Sequence, residues 1–230
     1  MIKKEQPANK LYAVIVAGGS GKRMQTETPK QFLELAGKPV LMRTIERFKT
    51  FDDSIEIIIV LPENQIEYWT FVQKKYSFSI RHKIAKGGAT RFHSVKNGLE
   101  LVPEHSLVAI HDGVRPFVSA DTIKRCFETA EKFGNAVPAV AISDSLRIIT
   151  NEENSPINRQ LIRIIQTPQV FNASLIKKAY QQEYRSEFTD DATVLEALGE
   201  KINLVEGNRE NIKITNPEDL LVSEALLMSF

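Results

Sequence analysis

The chain has 230 residues, 42% hydrophobic and 26% charged, with a formal net charge of +1 at pH 7. That suits one large α/β domain, or a domain with an excursion, built around a real core rather than a disordered or membrane-embedded chain. The near-zero charge excludes a bulk basic field for nucleic acid or anionic membrane, so any anion must be held by a local cluster.

The amino terminus, MIKKEQPANK, carries charge without an apolar segment, and no run approaches membrane-spanning length, so a cytoplasmic enzyme is the expectation. Tyr12 to Ala17 is an unbroken apolar run suited to a strand covered on both faces. It breaks at Gly18, Gly19 and Gly21, where the backbone can approach a ligand closely and present N–H groups to an anion. Lys22, Arg23 and Lys30 add positive side chains, and Lys30 stands between Pro29 and the Gln31-Phe32 pair, which fixes its direction more than a surface lysine requires. The spacing is not that of a Walker A loop, and Met24 stands where a dinucleotide fingerprint needs its third glycine. A phosphorylated ligand is the economical reading.

Beyond this loop the chain alternates. Val40, Leu41, Ile45 and Phe48 form a helix face after Pro39; Ile55 to Leu61 reads as a strand, Glu63 to Tyr76 as a helix and Ile80 to Ala85 as a short strand. Lys86 to Arg91 is a second glycine turn opening a helix, whose amino end offers N–H groups. The strand Leu107 to Ile110 runs into His111-Asp112-Gly113-Val114-Arg115-Pro116-Phe117, where Asp112 is a candidate metal or substrate position. A helix from Asp121 to Phe133 carries the one cysteine, Cys126, as an inert face thiol, and a strand from Ala136 to Ala141 follows. The pattern predicts an α/β fold, a mostly parallel sheet with helices on both faces and ligands at the carboxyl ends of strands.

Residues 143 to 166 break the alternation. Ser143–Ile149 and Gln160–Ile165 look like two strands joined by a polar turn from Asn151 to Asn158. A lone ribbon is barely stable in water, so this reads as a protruding β-arm for dimerisation. A helix around Ala173 to Gln182, another opened by Thr189-Asp190-Asp191 and ending near Gly199, and strands at Ile202–Val205 and Asn211–Ile214 follow. Asn216 caps a closing helix with Pro217 at its first position.

The ordered set Ala17-Gly18-Gly19-Ser20-Gly21-Lys22-Arg23-Met24, Pro29-Lys30-Gln31-Phe32, HDGVRPF at 111–117, QTPQVF at 166–171, TDDA at 189–192 and VEGNRENIKITNPEDL at 205–220 resembles the 2-C-methyl-D-erythritol 4-phosphate cytidylyltransferases of non-mevalonate isoprenoid synthesis. The resemblance runs nearly end to end and implies a single Rossmann-like, three-layer nucleotidyltransferase domain over 1–230 with a mixed sheet. It implies transfer of a cytidylyl group from CTP to a sugar-alcohol phosphate with Mg2+, in a homodimer. By resemblance Arg23 and Lys30 hold the triphosphate, with the backbone of Gly19 and Gly21 in the same turn. Lys213, and Arg159 of the partner subunit, surround the acceptor phosphate. Asp112, Arg115, Thr167 and Thr189 surround the acceptor polyol, with Asp112 also near the metal and Ser145 an additional contact. Ala17, Gly18, Gly88 and Ser94 read the cytosine edge. Attack by an already ionised phosphate oxygen needs positioning and electrostatics rather than a general base, so His111 reads as structural. Ribitol 5-phosphate cytidylyltransferases share most of these motifs, and Gly113-Val114 lies nearer theirs; Ala89 replaces a polar residue common at the base-reading turn. A noncatalytic nucleotide-binding module is the reading of another class.

Overall fold

The computed structural model describes residues 9–19, 28–151 and 153–228. The elements run β1 (Lys10–Val16), the short strands β2 (Glu34–Leu35) and β3 (Lys38–Pro39), α1 (Val40–Phe51), β4 (Glu56–Leu61), α2 (Glu63–Lys75), β5 (Lys83–Lys86) and α3 (Arg91–Glu100). Then come β6 (Ser106–Asp112), α4 (Ala120–Phe133), β7 (Asn135–Ala141), β8 (Leu146–Thr150), β9 (Glu153–Ile157), β10 (Arg163–Ile165), β11 (Gln169–Asn172), α5 (Ala173–Ala179), α6 (Asp191–Glu196), β12 (Leu204–Glu206) and α7 (Pro217–Leu227).

Eight strands form the main sheet in the order β10-β7-β11-β6-β1-β4-β5, with β12 joined to β7. β1 runs parallel to both β4 and β6, β4 to β5 and β7 to β12, whereas β10 and β11 pair antiparallel. The expected mixed, mostly parallel sheet is present. Its two faces follow from side-chain alternation along a strand. Ala13 and Ile15 of β1, with Ile57 and Ile59 of β4, pack in one core with α1, α2 and α4. Tyr12 and Val14, with Ile58 and Val60, pack in the other with α3 and α5. Gly98 on α3 sits so close to the sheet that a Cβ there would come within 2.7 Å of Val14 and 2.8 Å of Val60. A small residue at this crossing lets α3 lie low on β1 and β4, which sets the height of its amino end.

Three expectations need correction. The strand expected from Ile80 begins only at Lys83, because His82 engages Ile80 O through Nδ1 at 2.7 Å and receives the Trp69 indole N–H at 3.1 Å. The arm is built differently: β8 pairs with β9, and the turn lies at Asn151, whose φ is +50°, a value Asn tolerates. Residues 163–165 return instead to the main sheet against β7, and Gln160 and Leu161 fall in a 3₁₀ turn. Pro156 is accommodated within β9 because an isolated ribbon leaves each strand an open edge. Residues 211–214 form no strand, since their backbone groups serve side chains and loops: Asn211 O accepts from Arg115 at 2.7 Å, and Ile214 N–H donates to Val114 O at 3.0 Å. Asn216 caps α7 as expected, its N–H donating to Asp219 at 2.8 Å.

Candidate active site

β1, β5 and β6 end on the same side of the sheet, because parallel strands align their carboxyl ends. The cleft there has a volume of about 360 Å³. Its floor is the turn Ala17-Gly18-Gly19; one wall is Gly88 to Arg91 with Ser94, and the other is Asp112 and Val114 with Lys30 and Lys213.

Each lining residue has a local cause. After Pro29 the chain makes a single 3₁₀ turn, Lys30–Phe32, that buries Gln31 and Phe32. Phe32 lies edge-on to Tyr68 with ring centroids 5.2 Å apart, and Gln31 Nε2 donates to Ala17 O at 2.7 Å. Anchored on both neighbours, Lys30 projects over the glycine turn, with Cε 3.2 Å from where a Gly19 Cβ would stand and Nζ 3.4 Å from Ile214 O. Across the cleft Thr90 caps α3, and the turn before it is tied by the Gly88 N–H donating to Ser94 Oγ at 3.0 Å while Ser94 donates to Thr90 O at 2.9 Å. At Gly88 a Cβ would collide with His93, so this turn admits only glycine.

Asp112 is the electrostatic centre. Lys213 Nζ and Arg115 Nε each lie 3.1 Å from its Oδ2, and Arg91 Nε is 3.9 Å from Oδ1. Burial pushes the carboxyl toward its neutral form, but Lys213, then Arg91 and Arg115, outweigh it and hold it well below the usual carboxylate range. Arg91 is itself held by Asp191 in a two-pronged pair at 2.8 and 2.7 Å, and Tyr180 donates to the same carboxylate at 2.6 Å. Burial opposes the charge on Arg91, and Asp191 more than restores it. His111, directly before Asp112, is fully buried, and burial pushes its imidazole down to about 4. It is therefore neutral at physiological pH and out of reach of the cleft, in keeping with its structural reading.

The fold thus gathers Ala17, Gly18, Gly19, Lys30, Gly88, Ser94, Asp112 and Lys213 around one cleft, with Arg115 and Thr167 in contact with Asp112 from behind. Gly21 and Arg23 lie outside the described residues. Ser145, Arg159 and Thr189 do not line the cleft: Ser145 and Arg159 are exposed at the arm, where Arg159 donates to Ser143 O, and Thr189 is exposed before α6. Sequence reasoning passed over Gln31, Thr90, Arg91, Tyr180, Asp191 and Asn211. Arg91 and Asp191 stand inside quoted motifs, KGGATR and TDDA, which was the available signal.

For magnesium the cleft offers one carboxylate, Asp112, which Lys213, Arg115 and Arg91 already face. Among the described residues no group of three or more His, Cys, Asp or Glu side chains could enclose an ion. Mg2+ is commonly held by one or two carboxylates together with substrate phosphates, and Asp112 supplies one carboxylate on the cleft wall.

The family profile described as 2-C-methyl-D-erythritol 4-phosphate cytidylyltransferase matches residues 11–229. The protein of that name from Bacteroides fragilis is 53% identical over 215 residues, covering 94% of this chain and 98% of its own. Its counterpart from Phocaeicola vulgatus is 51% identical over 216 residues, covering 94% and 99%. A crystal structure of 4-diphosphocytidyl-2C-methyl-D-erythritol synthase from Anaerococcus prevotii superposes with a TM-score of 0.81 at 30% identity, covering 96% of both chains. The Thermus thermophilus cytidylyltransferase gives 0.76 at 32% identity, covering 94% of this chain and 98% of its own. The chain belongs to the 2-C-methyl-D-erythritol 4-phosphate cytidylyltransferase family.

Proposed function

We infer that the chain transfers a cytidylyl group from CTP to 2-C-methyl-D-erythritol 4-phosphate, releasing pyrophosphate, in non-mevalonate isoprenoid synthesis. Family membership supports the reaction and acceptor. The observation that carries the site is that Lys30 and Lys213, 183 positions apart in the chain, border one cleft that Asp112 also lines, with Lys213 paired to its carboxylate. Two phosphorylated molecules require cations at two places, and Lys30 and Lys213 support the reading by bringing one cation each to this cleft.

Lys30, with Arg23 and the glycine turn of Gly18, Gly19 and Gly21, takes the triphosphate. Ala17, Gly88 and Ser94 face the cytosine. Lys213, joined by Arg159 of the partner subunit, holds the acceptor phosphate so that one oxygen points at the α-phosphorus; such alignment removes much of the entropic barrier. Arg115, Thr167, Thr189 and Ser145 take the polyol, all four by resemblance rather than by lining the cleft, Arg115 and Thr167 standing behind Asp112. Negative charge accumulates at phosphorus in the transition state, and fixed cations stabilise it without reorganising. Asp112 is the protein carboxylate that would share a magnesium ion with the substrate phosphates, and the ion would there neutralise triphosphate charge.

The arm, a two-stranded ribbon that leaves Ile148 46% and Ile149 79% exposed, with Leu161 and Ile164 exposed nearby, is proposed to pack on a second copy. The whole chain then serves as one catalytic domain with that excursion, working in the cytoplasm; no helix among the described residues is long and apolar enough to cross a membrane. Pyrophosphate release from CTP, measured in parallel with methylerythritol 4-phosphate and ribitol 5-phosphate, tests the acceptor. Release with the first alone is expected; release with ribitol 5-phosphate alone would move the chain to the related reaction.

A further inference from the structure

His111 takes no part in the chemistry described above, yet it is wired to two residues around Asp112. Its Nε2 lies 3.1 Å from the Arg115 carbonyl oxygen and its Nδ1 3.0 Å from Thr167 Oγ1. A carbonyl only accepts, so Nε2 carries the proton and donates it. In the neutral ring Nδ1 is then an acceptor, and the single Thr167 hydroxyl proton goes to it. Thr167 Oγ1 in turn accepts the Asp112 backbone N–H at 3.1 Å. The circuit closes through side chains: Arg115 Nε reaches Asp112 Oδ2 at 3.1 Å, Arg115 Nη1 donates to Asn211 O at 2.7 Å, and Asn211 Nδ2 donates to Thr167 O at 2.8 Å. Phe48 packs edge-on against the imidazole, ring centroids 5.1 Å apart, and keeps it dry.

We propose that His111 is a positioning residue: by fixing the direction of the Thr167 hydroxyl and the seat of Arg115, both behind Asp112, it holds the Asp112 carboxylate in place on the cleft wall. Thr167 is only 5% exposed and neither it nor Arg115 lines the cleft, so the effect reaches the acceptor through Asp112. That the acceptor meets this wall rests on the cytidylyltransferase reading; the state of the ring does not.

Two measurements on the full chain test this. Imidazole ¹⁵N spectra of histidine-labelled protein, with His111 among the four histidines assigned by a His111→Phe variant, are expected to show Nδ1 unprotonated and Nε2 protonated at neutral pH. The opposite tautomer, or a ring protonated at both nitrogens, overturns the proposal without any functional variant. In steady-state assays His111→Phe is expected to raise the KM for methylerythritol 4-phosphate about tenfold while that for CTP stays within about twofold, the size of one lost neutral hydrogen bond. His111→Asn, whose Oδ1 can replace Nδ1 as an acceptor, recovers part of the loss. An unchanged acceptor KM in the Phe variant, or an equal rise for CTP, overturns the positioning role. A wild-type chain inert toward methylerythritol 4-phosphate would overturn the functional reading instead, and the ring spectrum would still decide the hydroxyl's direction.

Discussion

Arg91 and Asp191 meet in a two-pronged ion pair at 2.8 and 2.7 Å although 100 positions separate them, and so bind the amino end of α3 to that of α6. Asp191 is 0% exposed, whereas the Arg91 side chain keeps 30% of its surface. Removing one partner strands the other charge. Asp191→Asn is expected to destabilise the fold by about 3 kcal/mol, the low end for a broken buried pair because Arg91 is partly wetted. Urea unfolding measures it, and CTP affinity should weaken alongside, since α3 carries the Gly88 turn. A stability within about 0.5 kcal/mol of wild type would deny the pair its role.

Gly98 gives a prediction against helix propensity. Gly98→Ala improves intrinsic helix propensity by about 1 kcal/mol. Its new methyl would nevertheless come within 2.7 Å of Val14 and 2.8 Å of Val60. Overpacking of this kind costs about 1–3 kcal/mol, so a net loss in thermal stability is expected. A more stable variant would mean that α3 can rise off the sheet at little cost.

How stability varies with pH follows from His111. Its value is lowered from 6.5 to about 4 by burial. The unfolded chain therefore takes up the proton first as pH falls, so the stability of the neutral buried ring is intact above about pH 6.5, declines toward pH 4 and is then lost. Over that window the loss is about 3 kcal/mol. Asp112, held below the ordinary range by Lys213, Arg91 and Arg115 against burial, stays ionised in the folded chain, so the stability it contributes is intact above the ordinary carboxylate range and begins to fall only at the acid end of this window. His111→Phe should flatten the dependence of unfolding free energy on pH between 6.5 and 4; an unchanged slope would show that other groups set it.

The alternating core was legible because its chemistry repeats along the chain. Runs such as Ile57–Leu61 and helix faces such as Leu41, Ile45 and Phe48 carry their periods in the sequence, and both are buried. Lys30 was legible for the same local reason, since Pro29 and Phe32 announce a directed lysine. Arg91 and Asp191 were not: each reads locally as an ordinary charge, and only the folded sheet brings them together. The arm was misdrawn because β9, Glu-Asn-Ser-Pro-Ile, is almost wholly exposed and so carries no apolar alternation, while the alternation found at Leu161–Ile165 belongs partly to the main sheet. Ile212 and Ile214 imitate a strand for another reason. Ile214 is buried, but its own N–H goes to Val114 O and the Asn211 carbonyl is claimed by Arg115.

The arm yields a complementation test. Arg159→Ala and Lys213→Ala chains, each impaired, should recover activity when mixed and allowed to exchange subunits, because one hybrid site then has both cations. Recovery is measured as pyrophosphate release after mixing. Exchange without recovery would mean that Arg159 and Lys213 serve the same subunit's site.

The most direct test of the two-phosphate cleft is CTP binding by calorimetry, with turnover, in Lys30→Ala and Lys213→Ala. Lys30→Ala should weaken CTP binding and cut turnover about a hundredfold, the usual loss of one preorganised cation or donor. Lys213→Ala should leave CTP binding nearly intact and raise the acceptor's KM. Normal CTP binding in Lys30→Ala together with weakened CTP binding in Lys213→Ala would contradict the assignment of the two phosphates.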